Sequence, residues 1–384
     1  MAIVKVRKNS RSLNLKFAGA CFAAMLVVIL SLGLLEIDIS QATGSGGHGP
    51  KFCSKTALSA FRACKNEVED DYWIAVGNCI NVSDPEERRE CYPEARAERR
   101  EGKELCKEQF EARLDVCALV GEERYDPDFD PENFLRIPAG NDYFPLEVGN
   151  KWVYEGTFKD DEGEDVTETI TVEVLRATKL IEGVTCIVVN DVVEEDGEVI
   201  EDTDDWYAQH IDTGDVWYCG EIAKNFETFE GDVPSVPELV DIDGSWKTGR
   251  DGAKPGILIQ ADPQPGYAYR QEVLLNEAED VAQVLSNTYF FGNGNGEPEN
   301  SDSLDEDSDS LDYRVPKELA ELLCSKEEPC TVTRDLTALE PGVEERKYYA
   351  PGIGVFLEVD LETGDIVELV GCNVDSKCLP LPTP

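Results

Sequence analysis

Six cysteines between residues 53 and 117 are spaced so that their intervals read the same in both directions. The separations are 11, 15, 12, 15 and 11 residues, and the centre of symmetry is Pro85. A helical hairpin that turns near Pro85 would bring mirrored positions level, because both helices rise about 1.5 Å per residue. The spacing therefore predicts three disulfides, each joining a cysteine to its mirror image: Cys53–Cys117, Cys64–Cys106 and Cys79–Cys91.

The residues between these cysteines suit a hairpin that occupies residues 51–121. Residues 54–80 place apolar side chains among polar ones at helical spacing. We expect a turn at residues 81–84, with Asp84 as the cap of the second helix and Pro85 as its first residue. Pro93 indicates a short helix over residues 85–92 before a long one over residues 93–119, because proline interrupts helical hydrogen bonding.

The first 42 residues have the features of an export signal. Basic residues precede an apolar run at 17–35, and Ser40-Gln41-Ala42 offers small residues for cleavage before Thr43. An uncleaved membrane anchor stays open as an alternative, because 19 apolar residues approach the ~20 that span a bilayer. Lipid attachment at Cys21 is less favoured, since most of the apolar run follows that cysteine.

The cysteines outside the hairpin also suggest bridges. Removal of the leader takes away Cys21 and leaves an even number, as a disulfide framework requires. Two short loops predict the pairs Cys324–Cys330 and Cys372–Cys378, which leaves Cys186 for Cys219. The chain has no CxxC pair and only two histidines, so neither a zinc site nor any other cofactor is predicted.

The charge of the chain limits its partners. The formal net charge is −45 at pH 7. Such a surface repels phosphate backbones and anionic lipids, so we expect no nucleic-acid partner, and membrane contact only through an uncleaved leader. Charge alone does not separate a role in solubility from a cation-rich setting or a partner with a basic surface.

Residues 142–378 read as a mainly antiparallel β domain, after a linker at 122–141 that is rich in aspartate and proline. From Asn150 onward, short runs of β-branched and aromatic residues alternate with polar ones, and turn signals separate them. Within this domain, residues 234–265 are predicted to form a loop. The predicted fold is α+β: a disulfide-stapled antiparallel helical hairpin, followed by an antiparallel sheet that is strongly curved or barrel-like.

The stretch 292–312 is acidic and of low complexity, and we expect it to be a disordered loop. Calcium binding is the alternative, because carboxylate oxygens are calcium ligands. The segment lacks the EF-hand pattern of glycine and glutamate. Its candidate ligands for calcium are Asp302, Asp305, Asp307 and Asp309.

The β domain contains six motifs: PLEVGNKWVY at 145–154, DWYAQ at 205–209, VWYCGE at 216–221, GAKPG at 252–256, YRQE at 269–272 and YYAPGIG at 348–354. These motifs resemble those of a group of exported bacterial proteins of unknown function. The resemblance implies bacterial export and a shared fold, and it carries no chemistry. The chain departs from the group at His210, in place of an aspartate, and in the acidic insertion after Phe291.

A set of aromatic and charged residues in the β domain is the candidate ligand site. Tryptophan and tyrosine on a curved sheet can line a groove that stacks on a sugar, a peptide or a lipid. The alternative is that these aromatic residues only fill the core of the sheet. The candidate residues are Trp206, Tyr207, Trp217, Tyr218, Glu221, Trp246, Lys254, Arg270 and Glu272.

The sequence thus predicts an exported, non-enzymatic binding or structural protein of the cell envelope or extracellular space. Its partner would be a small molecule, a glycan or a protein. No catalytic residue is predicted, because the chain has neither a GxSxG nucleophile motif nor a phosphate-binding loop. Two alternatives stay open. One is a calcium-binding protein. The other is a secreted hydrolase with a glycosidase-type carboxylate pair, because such a pair is not recognisable by residue type among 80 acidic residues.

Overall fold

The computed structural model describes residues 51–160, 163–229, 231–292 and 310–381. The predicted leader and the calcium candidates lie outside the described residues. The helices are α1 (Phe52–Asn81), α2 (Pro85–Val120) and α3 (Lys317–Leu323). The strands are β1 (Gly140–Asn141), β2 (Phe144–Pro145), β3 (Lys151–Lys159), β4 (Asp165–Ile181), β5 (Val184–Glu195), β6 (Glu198–Gln209), β7 (Val216–Glu227), β8 (Glu238–Asp241), β9 (Trp246–Lys247), β10 (Lys254–Ile259), β11 (Ala268–Arg270), β12 (Glu272–Val273), β13 (Asp280–Tyr289), β14 (Cys330–Thr337), β15 (Glu344–Ala350), β16 (Gly354–Asp360) and β17 (Ile366–Cys372).

Helices α1 and α2 form the predicted hairpin, and the mirrored cysteines are bonded as the spacing predicted. The Cα–Cα distances are 5.6 Å for Cys53–Cys117, 5.8 Å for Cys64–Cys106 and 5.6 Å for Cys79–Cys91. At the turn, the Asp84 carboxylate accepts hydrogen bonds from the backbone N–H groups of Glu86 and Glu87. Pro85 is the first residue of α2, where a missing N–H costs nothing.

The predicted break at Pro93 is wrong, because α2 runs without interruption from Pro85 to Val120. An internal proline costs a helix about 3 kcal/mol. The first turns of α2 are fixed from outside, since the Cys79–Cys91 bridge ties them to α1 just before Pro93. That covalent tie, together with the Asp84 cap, stabilises the segment before Pro93 and so offsets the cost of the proline.

The large sheet closes on itself into a barrel-like structure. Its antiparallel strand order is β11-β13-β14-β15-β16-β17-β3-β4-β5-β6-β7-β10-β12, with β8 and β9 paired to β7. The two ends of this order, β11 and β12, are separated in the chain by Gln271 alone. One short segment therefore pairs with β13 on one side and with β10 on the other, and it joins the two ends of the sheet.

The predicted loop at residues 234–265 holds three short strands, so that prediction is wrong. Strand β10 pairs with residues 216–218 of β7, β9 with residues 220–221 and β8 with residues 225–227. Gly256 lets β10 lie close to the segment between β11 and β12, because a Cβ there would lie 2.1 Å from the carbonyl oxygen of Gln271. The many glycines that suggested a loop instead permit close approach of backbones.

Two of the remaining predicted bridges form, and the third does not. Cys324–Cys330 and Cys372–Cys378 are bonded, whereas Cys186 and Cys219 are free, buried thiols. Cys186 lies on β5 and Cys219 on β7, with β6 between them. Two strand spacings amount to roughly 9.5 Å, which exceeds the separation of about 7 Å that a disulfide spans without backbone movement. The prediction of a Cys186–Cys219 disulfide is therefore corrected.

A charged cluster lies on the inner face of the sheet. The Lys347 Nζ atom of β15 is 3.7 Å from carboxylate oxygens of Asp335, Glu345 and Glu358. All four side chains are less than one-tenth exposed. Burial raises the pKa of Glu358 to about 7, although the Lys347 ammonium opposes the shift. Burial also raises the pKa of Glu345.

Removing the hairpin bridges should destabilise the protein in the order of the loops that they close. In the chain-entropy description, loss of Cys53–Cys117 opens the roughly 22 residues outside Cys64–Cys106 and corresponds to about 3.4 kcal/mol, and the 12-residue separation of Cys79 and Cys91 corresponds to about 2.8 kcal/mol. Paired Cys→Ser variants would be compared by urea unfolding. Cys324→Ser with Cys330→Ser, which opens a 6-residue separation, should lose the least. The reverse order would contradict this account.

Stability should fall as the pH rises from about 4.5 to about 7, and Glu358→Gln should flatten that part of the profile. The folded protein holds the Glu358 proton in this window while the unfolded chain releases it, so ionisation favours the unfolded state. The difference in pKa corresponds to the order of 3 kcal/mol. Urea unfolding across this range would measure it, with the exposed Glu362→Gln as control. A wild-type profile parallel to that of Glu358→Gln would contradict the assignment.

Candidate functional site

A pocket of about 790 Å³ lies between the open end of the hairpin and the outer face of the sheet. We call it the interface pocket. Helices α1 and α2 contribute residues near the Cys53–Cys117 bridge, and strands β10 to β12 form the opposite wall. Most of its wall is apolar, including Phe52, Val116, Val120, Trp217, Ile257 and Leu274.

A buried ion pair fixes the hairpin against the sheet beside this pocket. Arg113 of α2 donates from Nε to Glu279 Oε2 at 2.7 Å and from Nη2 to Glu279 Oε1 at 2.8 Å. The Arg113 side chain is 4% exposed and that of Glu279 is 9% exposed. Asn276 accepts a third hydrogen bond at 3.0 Å. Such bidentate contacts fix orientation as well as distance.

Apolar packing and further hydrogen bonds extend this attachment. Val116 packs against Val281 and Ala338, which are also buried. The Gln109 side chain donates to the Leu339 carbonyl at 2.9 Å, and the Tyr125 hydroxyl donates to the Pro255 carbonyl at 2.8 Å. The chain that leaves α2 therefore follows the sheet and forms one side of the pocket.

Arg270 supplies a positive charge to the interface pocket. It follows Tyr269 on β11 and pairs with Val281 of β13, and Val281 faces the hairpin. The guanidinium Nη2 lies 3.3 Å from Cys53 Sγ, and its carbon lies 5.7 Å from the centre of the Tyr125 ring. Among the described residues it forms no ion pair with a carboxylate. Burial lowers the pKa of Arg270, and the nearby Tyr125 and Glu279 side chains oppose the shift.

Two other residues in the pocket wall carry buried N–H groups that lack an acceptor among the described residues. These groups are Arg113 Nη1 and Trp217 Nε1. Lys254 at the rim forms an ion pair with Asp126, so its charge is compensated. The wall thus combines a largely apolar surface with a small number of hydrogen-bond donors, which is the usual composition of a small-molecule site.

The structure divides the nine predicted ligand-site residues among three places. Trp217, Lys254, Arg270 and Glu272 line the interface pocket. Tyr207, Tyr218, Glu221 and Trp246 pack together inside the sheet. Trp206 faces the other way and belongs to a buried cluster with Phe134, Cys186 and Cys219. A single aromatic groove is therefore not formed, because successive side chains on β6 and β7 point to opposite faces.

The group inside the sheet is held by a shared hydroxyl. The Tyr218 hydroxyl contacts carboxylate oxygens of Asp205 and Glu221. The Tyr207 and Tyr218 rings stack with their centres 4.8 Å apart, and Trp246 meets Tyr218 edge-on at 5.2 Å. Burial and the neighbouring carboxylates raise the pKa of Tyr218 well above its usual value. This arrangement is a packed, polar core.

Sequence reasoning missed Arg113, Tyr125 and Glu279. A signal for Arg113 was present in the helical pattern, because it stands seven residues after Cys106 and four before Cys117. Residues at these spacings share one face of a helix, and the cysteines marked that face as buried. No comparable local signal exists for Glu279, which meets Arg113 across 166 residues of chain.

Comparison with protein-family models, curated proteins and solved structures finds no match to this chain. In the part of the chain that the structure describes, no helix is long and apolar enough to cross a membrane. The same residues contain no group of three or more histidine, cysteine, aspartate or glutamate side chains that could hold a metal ion.

Glu279→Ala should destabilise the protein by about 3 to 5 kcal/mol, because it leaves the buried Arg113 guanidinium without its carboxylate. Urea unfolding would measure the loss. The control is Glu104→Ala, which breaks an exposed pair with Lys107 and should cost less than about 1 kcal/mol. Equal losses in the two variants would show that the Arg113–Glu279 pair does not fix the hairpin.

Proposed function

We propose that this chain is an exported binding protein, and that the interface pocket holds a small amphipathic ligand with an anionic group. The apolar wall would cover the body of the ligand, and Arg270 would pair with its charged end. The observation that carries this proposal is Arg270 itself: a half-buried guanidinium, facing a pocket, with no carboxylate partner among the described residues.

The charge of the chain gives this observation its weight. Acidic residues outnumber basic residues 80 to 35, so a buried arginine would be expected to find a carboxylate within the protein. A desolvated charge without a counter-ion is costly. An anionic ligand would supply the missing partner through charge-assisted hydrogen bonds. Carboxylate and sulfonate groups both have the required oxygen acceptors.

The size and polarity of the pocket support a small molecule as the ligand. Small-molecule sites are typically ~300–1,000 Å³ and mainly apolar, with a few fixed polar groups. The interface pocket, at about 790 Å³, lies in this range. The N–H groups of Arg113 and Trp217 would favour oxygen acceptors on the ligand. An extended protein partner would need a larger surface.

The position of one buried carboxylate pair, Asp205 and Glu221, supports binding over hydrolysis. Glycosidase-type catalysis needs two carboxyl groups that flank a substrate. Asp205 and Glu221 are 3% and 2% exposed, and both contact Tyr218 within the sheet. This packing leaves a substrate no position between them, whereas the interface pocket has a mainly apolar wall that includes Arg270.

Five disulfides support the proposal of export, because such bonds persist in oxidising compartments. The N-terminal sequence and the resemblance to exported bacterial proteins agree with this location. A carrier or sensor of amphipathic anions at the cell envelope would be consistent with both features.

Arg270→Gln should weaken the binding of dodecanoate by about 10- to 100-fold and leave the binding of dodecanol nearly unchanged. A charge-assisted hydrogen bond contributes about 1.5 to 3 kcal/mol, which corresponds to this range. Isothermal titration calorimetry with both probes would separate the effect of the charge from that of the alkyl chain.

The matched control is Arg250→Gln, which makes the same charge change at an exposed position outside the pocket wall. It should leave the affinity for dodecanoate within about twofold, since exposed charges contribute little. Equal weakening by both variants, or no binding of dodecanoate by the wild type, would overturn the assignment of the pocket to anionic amphiphiles.

A further inference from the structure

Lys347 is surrounded by more carboxylates than one ammonium can neutralise. Glu358 lies directly opposite it on β16, and Asp335 lies on β14, two residues beyond its other cross-strand neighbour, Thr333. Glu345 precedes it by two residues on β15 and faces the same side. The Nζ atom is 3.7 Å from one oxygen of each of the three acids.

This cluster is poorly satisfied as an ionic network. Hydrogen bonds from an ammonium group to a carboxylate span about 2.7–2.9 Å, so the three contacts at 3.7 Å are too long. Both oxygens of Glu358 and the Oδ2 atom of Asp335 lack a hydrogen-bond donor among the described residues. Buried ion pairs offset their desolvation only when the geometry is good. The arrangement thus brings an amine and three carboxyl groups together without the contacts that would hold them as ions.

We propose that Lys347 and Asp335 condense to an amide, an internal isopeptide bond that links β15 to β14. In this step the Lys347 Nζ–Asp335 Cγ bond forms and the Asp335 Cγ–Oδ2 bond breaks. The ammonium and the carboxylate together become one amide and one water molecule, so atoms and charge balance. No oxidant, reductant or other co-reactant is required.

The neighbouring side chains have suitable positions for this step. The Thr333 hydroxyl donates to Asp335 Oδ1 at 2.5 Å, which orients the carboxyl group and leaves Oδ2 as the departing oxygen. Burial lowers the pKa of Lys347, but the three carboxylates outweigh burial and hold it as an ammonium. Glu358, whose pKa is raised to about 7, is placed to carry the two protons that Nζ loses, one after the other, to the departing oxygen.

The enclosed site favours the amide over the separated ions. Fixed neighbouring groups react with effective concentrations of about 10⁵–10⁸ M, which compensates for the weak reactivity of a carboxylate. Condensation also removes one positive and one negative charge from a buried position. A single reaction after folding would suffice, so the step need not be fast. The resulting bond would lock two strands of the sheet covalently.

The test is the intact mass of the purified wild-type protein after reduction and alkylation of its cysteines. We expect a measured mass that is lower, by the mass of one water molecule, than the mass calculated for the alkylated chain. Trypsin cleaves after Arg334 and Arg346, so the bond would leave peptide 335–346 attached to the peptide that begins at Lys347. A mass without this loss of water would overturn the proposal, and no variant is needed for that result.

Fragmentation of the branched peptide identifies the acceptor, because peptide 335–346 contains both Asp335 and Glu345. Attachment at Glu345, or an internal link from Lys347 to Glu358, would overturn the assignment to Asp335. Lys347→Arg keeps the positive charge and should restore the full mass. Glu358→Gln should leave most of the purified protein at the full mass, and complete loss of water in this variant would overturn the role of Glu358 as proton carrier.

Discussion

The Arg113–Glu279 ion pair determines how the two parts of this protein meet. It joins helix α2 to the segment before β13 through two short hydrogen bonds in a nearly dry environment. The three disulfides hold the hairpin together, but none of them links the hairpin to the sheet. The position of the hairpin, and with it the shape of the interface pocket, therefore depends on this pair and on the apolar contacts of Val116.

The closure of the sheet gives its two faces different chemistry. On β11, Arg270 faces the hairpin, while Tyr269 packs with Ala282 and Val284 on the inner face. The inner face carries tyrosines and buried carboxylates around Lys347, and the outer face beneath the hairpin is mainly apolar and carries Arg270. One segment, residues 268–273, both closes the sheet and forms a wall of the pocket.

The parts of the fold that depend on the spacing of residues along the chain were predicted from the sequence. Mirrored cysteines predicted the hairpin and its three bridges, and alternating residues predicted the antiparallel sheet. The Cys186–Cys219 pairing failed because it was reached by elimination, and elimination takes no account of the intervening strand β6. The predicted helix break at Pro93 was wrong because a helix held by disulfides tolerates an internal proline that would break an isolated helix.

The candidate site was predictable only in part, for a physical reason. Arg270, Glu272, Lys254 and Trp217 were recognised by residue type, and the structure places them in one pocket. The hairpin wall of that pocket was not predicted, because it depends on a contact between residues 166 positions apart. Strand alternation also sends Trp206 and Tyr207 to opposite faces, which residue type alone does not show.

The most direct test of the binding account is a crystal structure with dodecanoate that carries bromine at the end of its alkyl chain. Anomalous scattering from bromine would locate the alkyl end without reference to the protein density. The account predicts bromine within the apolar wall near Val116 and Ile257, and the carboxylate within hydrogen-bonding distance of the Arg270 guanidinium. Bromine at another site, or a carboxylate that avoids Arg270, would contradict it.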